Sequence, residues 1–221
     1  MIKRYNTEKY RFHDIVAAAF EIEDLSKIHC LRQDFLPQEK LVFDNESKTK
    51  FHQHFYDLLN SGKLPQLERS YFEFVRDEVG SFFNEDVLYQ YMPSFRVHLP
   101  GDKAIHKWHY DSDSDHRHPE WEINFHIPLT RTYDTQSIWI ESVPGLGDFS
   151  PMNLEYGEFC VFDGNRCMHG NKENTTEQTR VSFDFRVMPV SKFSLNQKES
   201  VTSNKKFIEG QYYRRVPCTK A

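Results

Sequence analysis

Short runs of alternating apolar and polar residues make up most of the chain from residue 87 to residue 188. Gly, Pro, Asn and Asp separate these runs. Alternation with a period of two is the pattern of a β-strand with one buried face. Short strands that follow a block of helical segments predict an antiparallel β-sandwich with helices on one side. The runs are residues 87–92, 94–99, 106–111, 121–129, 137–142, 158–162 and 180–188.

The earlier part of the chain has helical periodicity instead. Helices are predicted at residues 14–23, 46–60 and 65–84, because apolar residues recur there at intervals of three and four. The Gly62 that follows the second segment is a typical helix end, and Gly80 weakens the helical signal near the end of the third. We expect these helices to pack on the outer face of the sheet as a scaffold.

The chain of 221 residues has the length of one domain with appended elements. We predict a helical scaffold at residues 1–86, a β core at 87–190 and a C-terminal tail at 191–221. The tail is polar except for a weak apolar patch between Phe207 and Tyr213. Three interpretations of the tail stay open: a lid, a surface for a partner, or a partly disordered segment.

Composition excludes several classes of protein. The formal net charge is −5 and basic residues form no stripe, so we do not expect nucleic acid as a partner. No stretch approaches the roughly 20 apolar residues of a membrane span, and the N-terminus lacks the apolar core of a signal peptide. The 4 cysteines have no framework spacing and are predicted as free thiols. We therefore expect a soluble, cytoplasmic protein, and the sequence predicts no particular oligomeric state.

One imidazole and one carboxylate stand two residues apart in His109-Tyr110-Asp111. On a strand such residues point to the same face, so both can reach one ion. A second imidazole, His169, follows a turn-like Asp-Gly-Asn sequence further along the chain. Two His and one carboxylate with open coordination positions form the facial triad of non-haem Fe(II) oxygenases. The sequence therefore predicts a metal site made by His109, Asp111 and His169.

Other acidic and imidazole side chains surround this motif, so a solvated acidic loop is the alternative interpretation. His106 lies three residues before His109 and would point to the other face of a strand, which makes it a weaker ligand candidate. Asp113 is interpreted as a loop residue near the metal or the substrate. His116 and His118 are candidates for substrate contacts at the mouth of a cavity.

A carboxylate clamp is predicted at Arg180 and Ser182, which share one face of a strand. Arg can bind a carboxylate through two parallel hydrogen bonds, and a Ser hydroxyl can add a third. A buried Arg without an anionic partner is costly, so an Arg in an apolar strand indicates an anion. Asn124 lies in another apolar strand, where an inward amide usually has a specific hydrogen-bond partner.

Together, the triad and the clamp resemble the Fe(II)/2-oxoglutarate-dependent oxygenases, and a longer set of motifs resembles the narrower streptomycin-biosynthesis-type group found in natural-product pathways. The resemblance covers roughly residues 87–190. It implies a double-stranded β-helix, that is, a cupin-like jelly roll, mainly β with flanking helices. It also implies Fe(II), 2-oxoglutarate as co-substrate, O₂, and release of succinate and CO₂. The longer motifs are residues 95–101, 122–125, 138–142, 162–164 and 181–186.

The resemblance also assigns roles to single residues. Arg180 and Ser182 are expected to bind the distal carboxylate of 2-oxoglutarate, and Asn124 is expected near the same co-substrate. In halogenating relatives, Ala or Gly replaces the carboxylate ligand so that chloride can take its place. The presence of Asp111 therefore argues against halogenation.

Arg96 and His98 alternate with apolar residues on one predicted strand, and Trp139 and Glu141 do so on another. Each pair lies either on an exposed edge or on the wall of a polar cavity. If they face inward, the cavity suits a small polar substrate of the amino acid, sugar or cyclitol type. Hydroxylation is the default outcome, whereas desaturation, ring closure and epimerisation would use the same residues.

Three other functions compete with this hypothesis. A cupin-type metal dioxygenase or isomerase would need no 2-oxoglutarate, and the Arg180–Ser182 pair argues against it. A non-catalytic jelly-roll module could keep a metal site without turning over any substrate. A protein hydroxylase would act on a peptide. Absence of succinate production with any substrate would favour the non-catalytic module. Acceleration of succinate release by a peptide, and not by small metabolites, would favour the protein hydroxylase.

Overall fold

The computed structural model describes residues 1–31, 49–102, 108–194, 198–200 and 204–218. Within these residues, short strands dominate the second part of the chain and helices the first. The strands are β1 (Ile2–Arg4), β2 (Val87–Gln90), β3 (Ser94–His98), β4 (Ile123–Pro128), β5 (Ile138–Ile140), β6 (Ser150–Pro151), β7 (Glu158–Phe162), β8 (His169–Asn171), β9 (Arg180–Pro189) and β10 (Tyr213–Val216). The α-helices are α1 (Thr7–Tyr10), α2 (Phe12–Ala19), α3 (Lys50–Asn60) and α4 (Pro65–Phe74).

The strands form two antiparallel sheets. The large sheet has the order β1-β7-β4-β9-β2-β10, and β3 also pairs with β9. The N-terminal half of β9 pairs with β3 and its C-terminal end with β2, so these two strands lie along the same edge of β9. The small sheet has the order β6-β5-β8, and a bridge from His109 to His169 extends it beyond β8.

Connectivity identifies the architecture. From β3 onward the chain passes to the His109 bridge, then to β4, β5, β6, β7, β8 and β9, and mostly switches sheet at each step. One sheet then contains β3-β9-β4-β7, and the other contains the His109 bridge followed by β8-β5-β6. This is the arrangement of a double-stranded β-helix, a jelly-roll fold. The predicted fold class is confirmed.

The helices pack on the outer face of the large sheet. Phe55 of α3 stacks on Phe95 of β3 with ring centroids 4.2 Å apart, and Phe12 of α2 meets Phe183 of β9 at 6.0 Å. Such aromatic pairs add packing energy to the area they bury. The main hydrophobic core therefore lies between helices and sheet, outside the jelly roll itself.

Helix boundaries differ from the prediction in ways that the backbone explains. The first helix ends at Ala19 rather than at residue 23, because Glu21 has a φ of 53° and cannot continue a right-handed helix. The second begins at Lys50, where Thr49 caps it; residues 46–48 lie outside the described part of the chain. The third ends as an α-helix at Phe74 and continues as wider and then tighter turns to Phe82.

Two predicted strands also differ. The strand expected at residues 121–129 begins only at Ile123, because Trp121 has a φ of 74°, outside the extended region. The strand expected at residues 106–111 is represented by the bridge at His109, and residues 103–107 are not described. His106, the weaker ligand candidate, therefore lies outside the described residues.

The predicted tail contributes a strand to the large sheet. β10 pairs with β2, and Tyr213 is fully buried. As predicted, no disulfide joins Cys30, Cys160, Cys167 and Cys218. Among the described residues, none of the helices combines the length and apolar character needed to cross a membrane.

Candidate metal centre

Backbone pairing brings His109 and His169 together at the edge of the small sheet. The N–H of His109 donates to the carbonyl of His169 at 3.0 Å, and the reverse bond is 2.8 Å. The ring centroids are 4.5 Å apart. Nδ1 of His169 lies 3.1 Å from the carbonyl oxygen of Cys167. Donation from this nitrogen leaves Nε2 as the acceptor, which is the form that binds metals.

Asp111 completes the cluster. Its side chain is 1% exposed, and Oδ1 lies 3.7 Å from Nε2 of His109 and 3.8 Å from Nε2 of His169. Oδ2 accepts hydrogen bonds from Nδ2 of Asn124 at 2.7 Å and from Nε of Arg186 at 2.9 Å. Oδ1 has no hydrogen-bond partner among the described residues. One carboxylate oxygen is thus held by the protein, and the other faces the two imidazoles.

This donor set fits a divalent metal ion. One ligand atom from each of His109, Asp111 and His169 lies within 4.8 Å of the others. A buried polar atom without a partner needs an explanation, and an ion between the three side chains would supply one for Oδ1 of Asp111. Two imidazoles and one carboxylate leave coordination positions open for other ligands. The structure brings the predicted triad together, and its role as a ligand set stays a prediction.

Charge around Asp111 favours the anionic form. Burial by itself raises the pKa of this carboxyl group, but Arg186, His118 and His169 together hold its pKa well below the usual range. The same ion pair raises the pKa of Arg186, although burial opposes this effect. Asp111 is therefore a carboxylate at neutral pH and can coordinate a metal without first losing a proton.

A glycine makes the approach of Asn124 to Asp111 possible. A Cβ atom on Gly164 would lie 2.7 Å from Nδ2 of Asn124 and 2.8 Å from the ring of Phe162. The backbone carbonyl of Gly164 also accepts a hydrogen bond from the N–H of Asp111 at 2.8 Å. The turn at Gly164 therefore fixes both the main chain of Asp111 and the amide that orients its side chain.

Arg180 and Ser182 lie on the same inward face of β9 as Arg186. Nη1 of Arg180 donates to the carbonyl of Gln136 and to Oδ1 of Asn171, both at 2.8 Å. Ser182 is fully buried, and its hydroxyl has no partner among the described residues. Both amide atoms of the buried Gln136 side chain are likewise without partners there. This region can offer hydrogen bonds to a buried anion.

A further cluster of polar side chains, made by His126, Asp184 and Arg96, lies between the candidate metal centre and Arg180. Nδ1 of His126 is 2.5 Å from Oδ1 of Asp184, and Nε of Arg96 donates to Oδ2 of the same carboxylate at 3.3 Å. Burial raises the pKa of Asp184, but His126 and then Arg96 outweigh it, so the net shift is downward. The inner face of the large sheet thus carries ionised groups along its length.

The structure separates the four predicted substrate residues. Arg96 points to the inner face and binds Asp184, and His98 is buried with Nε2 3.3 Å from the carbonyl of Asp102. Trp139 lies on the opposite face of β5 from Ile138, which packs in the interior cluster, and Glu141 directly follows β5. The structure does not bring these two toward the triad, and a substrate contact for them stays a prediction.

Hydrogen bonds explain the positions of Trp139 and Glu141. Nε1 of Trp139 donates to the carbonyl of Asp134, and Nζ of Lys172 lies 3.2 Å from the Trp139 ring centroid. The Glu141 carboxylate accepts from the backbone N–H of Met168 at 2.6 Å and of Gly147 at 3.0 Å. Glu141 therefore fixes the segment that precedes His169.

The two candidate residues at the cavity mouth lie beside the triad. The ring of His116 stacks on that of His109 with centroids 4.1 Å apart, and its Nδ1 is 2.8 Å from Oδ1 of Asp113. Nδ1 of His118 is 2.7 Å from Oε2 of Glu122. Both imidazoles belong to the loop that follows Asp111, where they support the backbone and the ligands.

Sequence reasoning missed Arg186, Asp184 and His126 as members of the inner face. The signal was present, because Arg180, Ser182, Asp184 and Arg186 recur at intervals of two on one strand. The spacing of two residues that identified Arg180 and Ser182 applies equally to Asp184 and Arg186. The partner of Arg186 could not be read in this way, because Asp111 comes from a distant part of the chain.

The fold and the site define a double-stranded β-helix protein with a candidate His-Asp-His metal centre. No family model matches the chain. The chain is 33% identical over 214 residues to the streptomycin biosynthesis protein StrG of Streptomyces griseus. The alignment covers 96% of each of the two chains. The chain therefore belongs to the family of StrG. The similarity extends well beyond the residues 87–190 that carried the predicted resemblance, so the helical part of the chain is included.

Several solved structures are also similar to this chain, at lower identity. CytC3 with Fe(II) and alpha-ketoglutarate has 16% identity and a TM-score of 0.45, and the match covers 95% of this chain and 93% of that one. AviO1 from Streptomyces viridochromogenes Tue57 has 16% identity and a TM-score of 0.44, with 87% and 91% covered. The apo form of EctD from S. alaskensis has 14% identity and a TM-score of 0.47, with 87% and 73% covered.

Proposed function

We propose that this protein is an Fe(II)- and 2-oxoglutarate-dependent oxygenase. The observation that carries the proposal is the position of Asp111, whose Oδ1 has no partner among the described residues and faces Nε2 of both His109 and His169. The donor set is that of the facial triad. Membership of the StrG family adds a relative whose name refers to streptomycin biosynthesis, and a role in natural-product biosynthesis is part of the proposal.

In this proposal His109, Asp111 and His169 hold Fe(II). Asn124 and Arg186 bind Oδ2 of Asp111, so the carboxylate offers one oxygen and leaves adjacent positions on the ion open. Arg180 and Ser182 bind the distal carboxylate of 2-oxoglutarate. When bound, the iron and 2-oxoglutarate supply the activation of O₂, with release of succinate and CO₂. The protein contributes orientation and exclusion of water from a polar interior.

One strand supports both ends of the proposed co-substrate site. Arg186 holds the metal-ligating carboxylate, and Arg180 stands on the same face of β9 six residues earlier. Because successive inward residues on a strand are separated by a fixed distance, β9 sets the spacing between metal and clamp. Asn124 is expected near the co-substrate, and its hydrogen bond to Asp111 is consistent with a position beside the metal.

We propose a small polar molecule of the amino acid, sugar or cyclitol type as substrate, and hydroxylation as the reaction. A cavity of about 280 Å³ lies between α3, the turn that joins β2 to β3 and the C-terminal residues, and the described residues that line it do not include the triad. Arg96 lines this cavity and also binds Asp184 on the inner face. The other polar and aromatic residues that line it include Tyr56, Gln90, Tyr91, Lys205 and Tyr212.

An anaerobic titration tests the proposal. Fe(II) and then 2-oxoglutarate are added to the metal-free protein, and the visible charge-transfer band of the chelated oxo acid is recorded. We expect a band in the parent protein and none in His169→Ala. Arg180→Ala should weaken 2-oxoglutarate binding by at least about tenfold, because a charged hydrogen bond contributes about 1.5–3 kcal/mol.

The matched control is Arg131→Ala, which removes an exposed arginine paired with Glu155 on the surface. It should leave the titration unchanged. Iron binding without a band would contradict the role of 2-oxoglutarate and favour a metal dioxygenase or a binding module. Failure to bind iron would contradict the ligand assignment itself.

A further inference from the structure

The loop that follows Asp111 determines where this ligand stands. The carbonyl of Asp111 accepts a hydrogen bond from the backbone N–H of His118 at 3.0 Å. Its own N–H donates to the carbonyl of Gly164. The main chain of Asp111 is therefore fixed on one side by the turn before β8 and on the other by His118. Displacement of His118 would release one of these two attachments.

Three buried side chains, those of Tyr213, Glu122 and His118, form a chain of hydrogen bonds that fixes His118 in turn. Glu122 is 2% exposed, and its Oε2 lies 2.7 Å from Nδ1 of His118. Its other oxygen, Oε1, accepts a hydrogen bond from the hydroxyl of Tyr213. A buried carboxyl group is costly unless it is hydrogen-bonded, and here both oxygens have partners. Glu122 thus links Tyr213 to His118 through one hydrogen bond at each of its carboxylate oxygens.

The C-terminal residues supply the far end of this chain. Tyr213 begins β10, which pairs with β2 and belongs to the large sheet. Phe207 is fully buried, and its ring centroid is 4.8 Å from that of His118. Phe207, Tyr212 and Tyr213 form a small hydrophobic cluster with Leu88 and Met188. A segment far from the metal ligands in sequence therefore packs against the loop that carries one of them.

We propose that Glu122 is a positioning residue of the metal centre, and that the C-terminal strand takes part in the site through Tyr213. The proposal rests on the proposed function, because it assumes that Asp111 is a metal ligand. Glu122 acts through His118 and the carbonyl of Asp111, and it does not touch the ion. Loss of Glu122 releases the loop, so Oδ1 of Asp111 no longer faces the two imidazoles in a fixed position.

The test measures Co(II) affinity of the metal-free protein by visible absorption, without turnover. We expect Glu122→Ala to weaken Co(II) binding by about tenfold, at the lower end of the loss seen when residues that orient metal ligands are removed. Glu122→Gln keeps an acceptor for Tyr213 and a polar group at His118, so it should recover most of the affinity. Tyr213→Phe should weaken binding by a smaller factor.

The matched control is Tyr71→Phe. Tyr71 is also buried, and its hydroxyl donates to the carbonyl of Gln90 at 2.7 Å. Its ring contacts Tyr89 and Phe185 and not the loop after Asp111. It should lose a similar amount of thermal stability and bind Co(II) as the parent does. If both Tyr variants bind Co(II) equally well, or if Glu122→Ala binds it like the parent, the positioning role is wrong.

The two proposals fail in different ways. A parent protein that does not bind Co(II) would contradict the metal centre and the proposed function together. A parent that binds Co(II), with all variants alike, would leave the proposed function in place and remove only the role of Glu122. If Glu122→Ala does not fold, the comparison of Tyr213→Phe with Tyr71→Phe decides the question.

Discussion

The two faces of the large sheet have opposite chemistry, although the same strands form both. On β9 the outward residues are Val181, Phe183, Phe185 and Val187, all in the main hydrophobic core. The inward residues are Arg180, Ser182, Asp184 and Arg186. β4 shows the same division, with Phe125 and Ile127 outside and Asn124 and His126 inside. The period of two along a strand produces both faces at once.

This difference in chemistry means that the outer face contributes to folding stability and the inner face is suited to binding. Outward side chains are surrounded by apolar neighbours, so each contributes to folding through buried area and close packing. Inward side chains are paired ions or buried polar groups. Oδ1 of Asn124 and the hydroxyl of Ser182 have no partner there among the described residues, and neither does Oδ1 of Asp111, which contacts this face through Asn124 and Arg186. Such a face contributes little net stability, and its arrangement is suited to a ligand.

The largest effect on stability is expected from Phe183→Ala on the outer face. Phe183 is fully buried and contacts the rings of Phe12, Phe55 and Phe95 at centroid distances of 6.0, 5.9 and 6.1 Å. We expect a loss of about 3–5 kcal/mol in the free energy of unfolding, because a large cavity replaces the ring. Urea denaturation followed by circular dichroism measures it.

Leu146→Ala is the control for this variant, since Leu146 is 61% exposed and its removal should change stability by less than about 0.5 kcal/mol. The folded fraction of Phe183→Ala should still bind Co(II) with the parent affinity. A large loss of affinity in that fraction would contradict the separation of the two faces.

An intermediate effect that depends on pH is expected from Asp184→Asn on the inner face. Asp184 is bound by His126 and Arg96, and loss of its charge leaves both without their anion. We expect a loss of about 1–3 kcal/mol at pH 7. Urea midpoints of the parent and the variant, measured from pH 7 down to pH 3, test the expectation.

The sign of the pH dependence follows from the pKa of Asp184. Burial raises this pKa, but His126 and Arg96 lower it further than burial raises it. Its contribution is therefore fully present above the unfolded pKa of about 3.9 and is lost as pH falls through the lower folded pKa. The parent should lose its advantage over Asp184→Asn only in acid. A constant difference down to pH 3 would contradict the charge pairing.

The sequence predicted local periodicity well and long-range contacts poorly. Alternation identified the inward Arg180 and Ser182, and the predicted strand at residues 158–162 matches β7. It did not indicate that Arg186 meets Asp111, or that Tyr213 meets Glu122, because these pairs come from segments far apart in the chain.

Two short elements were missed for the same reason. β1 and β10 have only three and four residues, and each gains its strand conformation by pairing with β7 or β2. A segment this short carries too few residues for a recognisable period, so its partner decides its structure. The tail therefore looked like a lid or a disordered segment, although its described part includes a strand of the sheet.

The smallest effect on stability is expected from Ser182→Ala, which also gives the sharpest test of the comparison. The Ser182 side chain is fully buried, and its hydroxyl has no partner among the described residues. Because an unpaired buried hydroxyl opposes folding, the variant should be between 0 and about 1 kcal/mol more stable than the parent.

Ser137→Ala is the matched control: the buried hydroxyl of Ser137 donates to Oδ1 of Asn153 at 3.1 Å, so this variant should lose about 1 kcal/mol. In the anaerobic titration only Ser182→Ala should bind 2-oxoglutarate more weakly. A loss of stability in Ser182→Ala without any loss of binding would mean that its hydroxyl serves the fold, and the inner face would then lose its distinction from the outer one at this position.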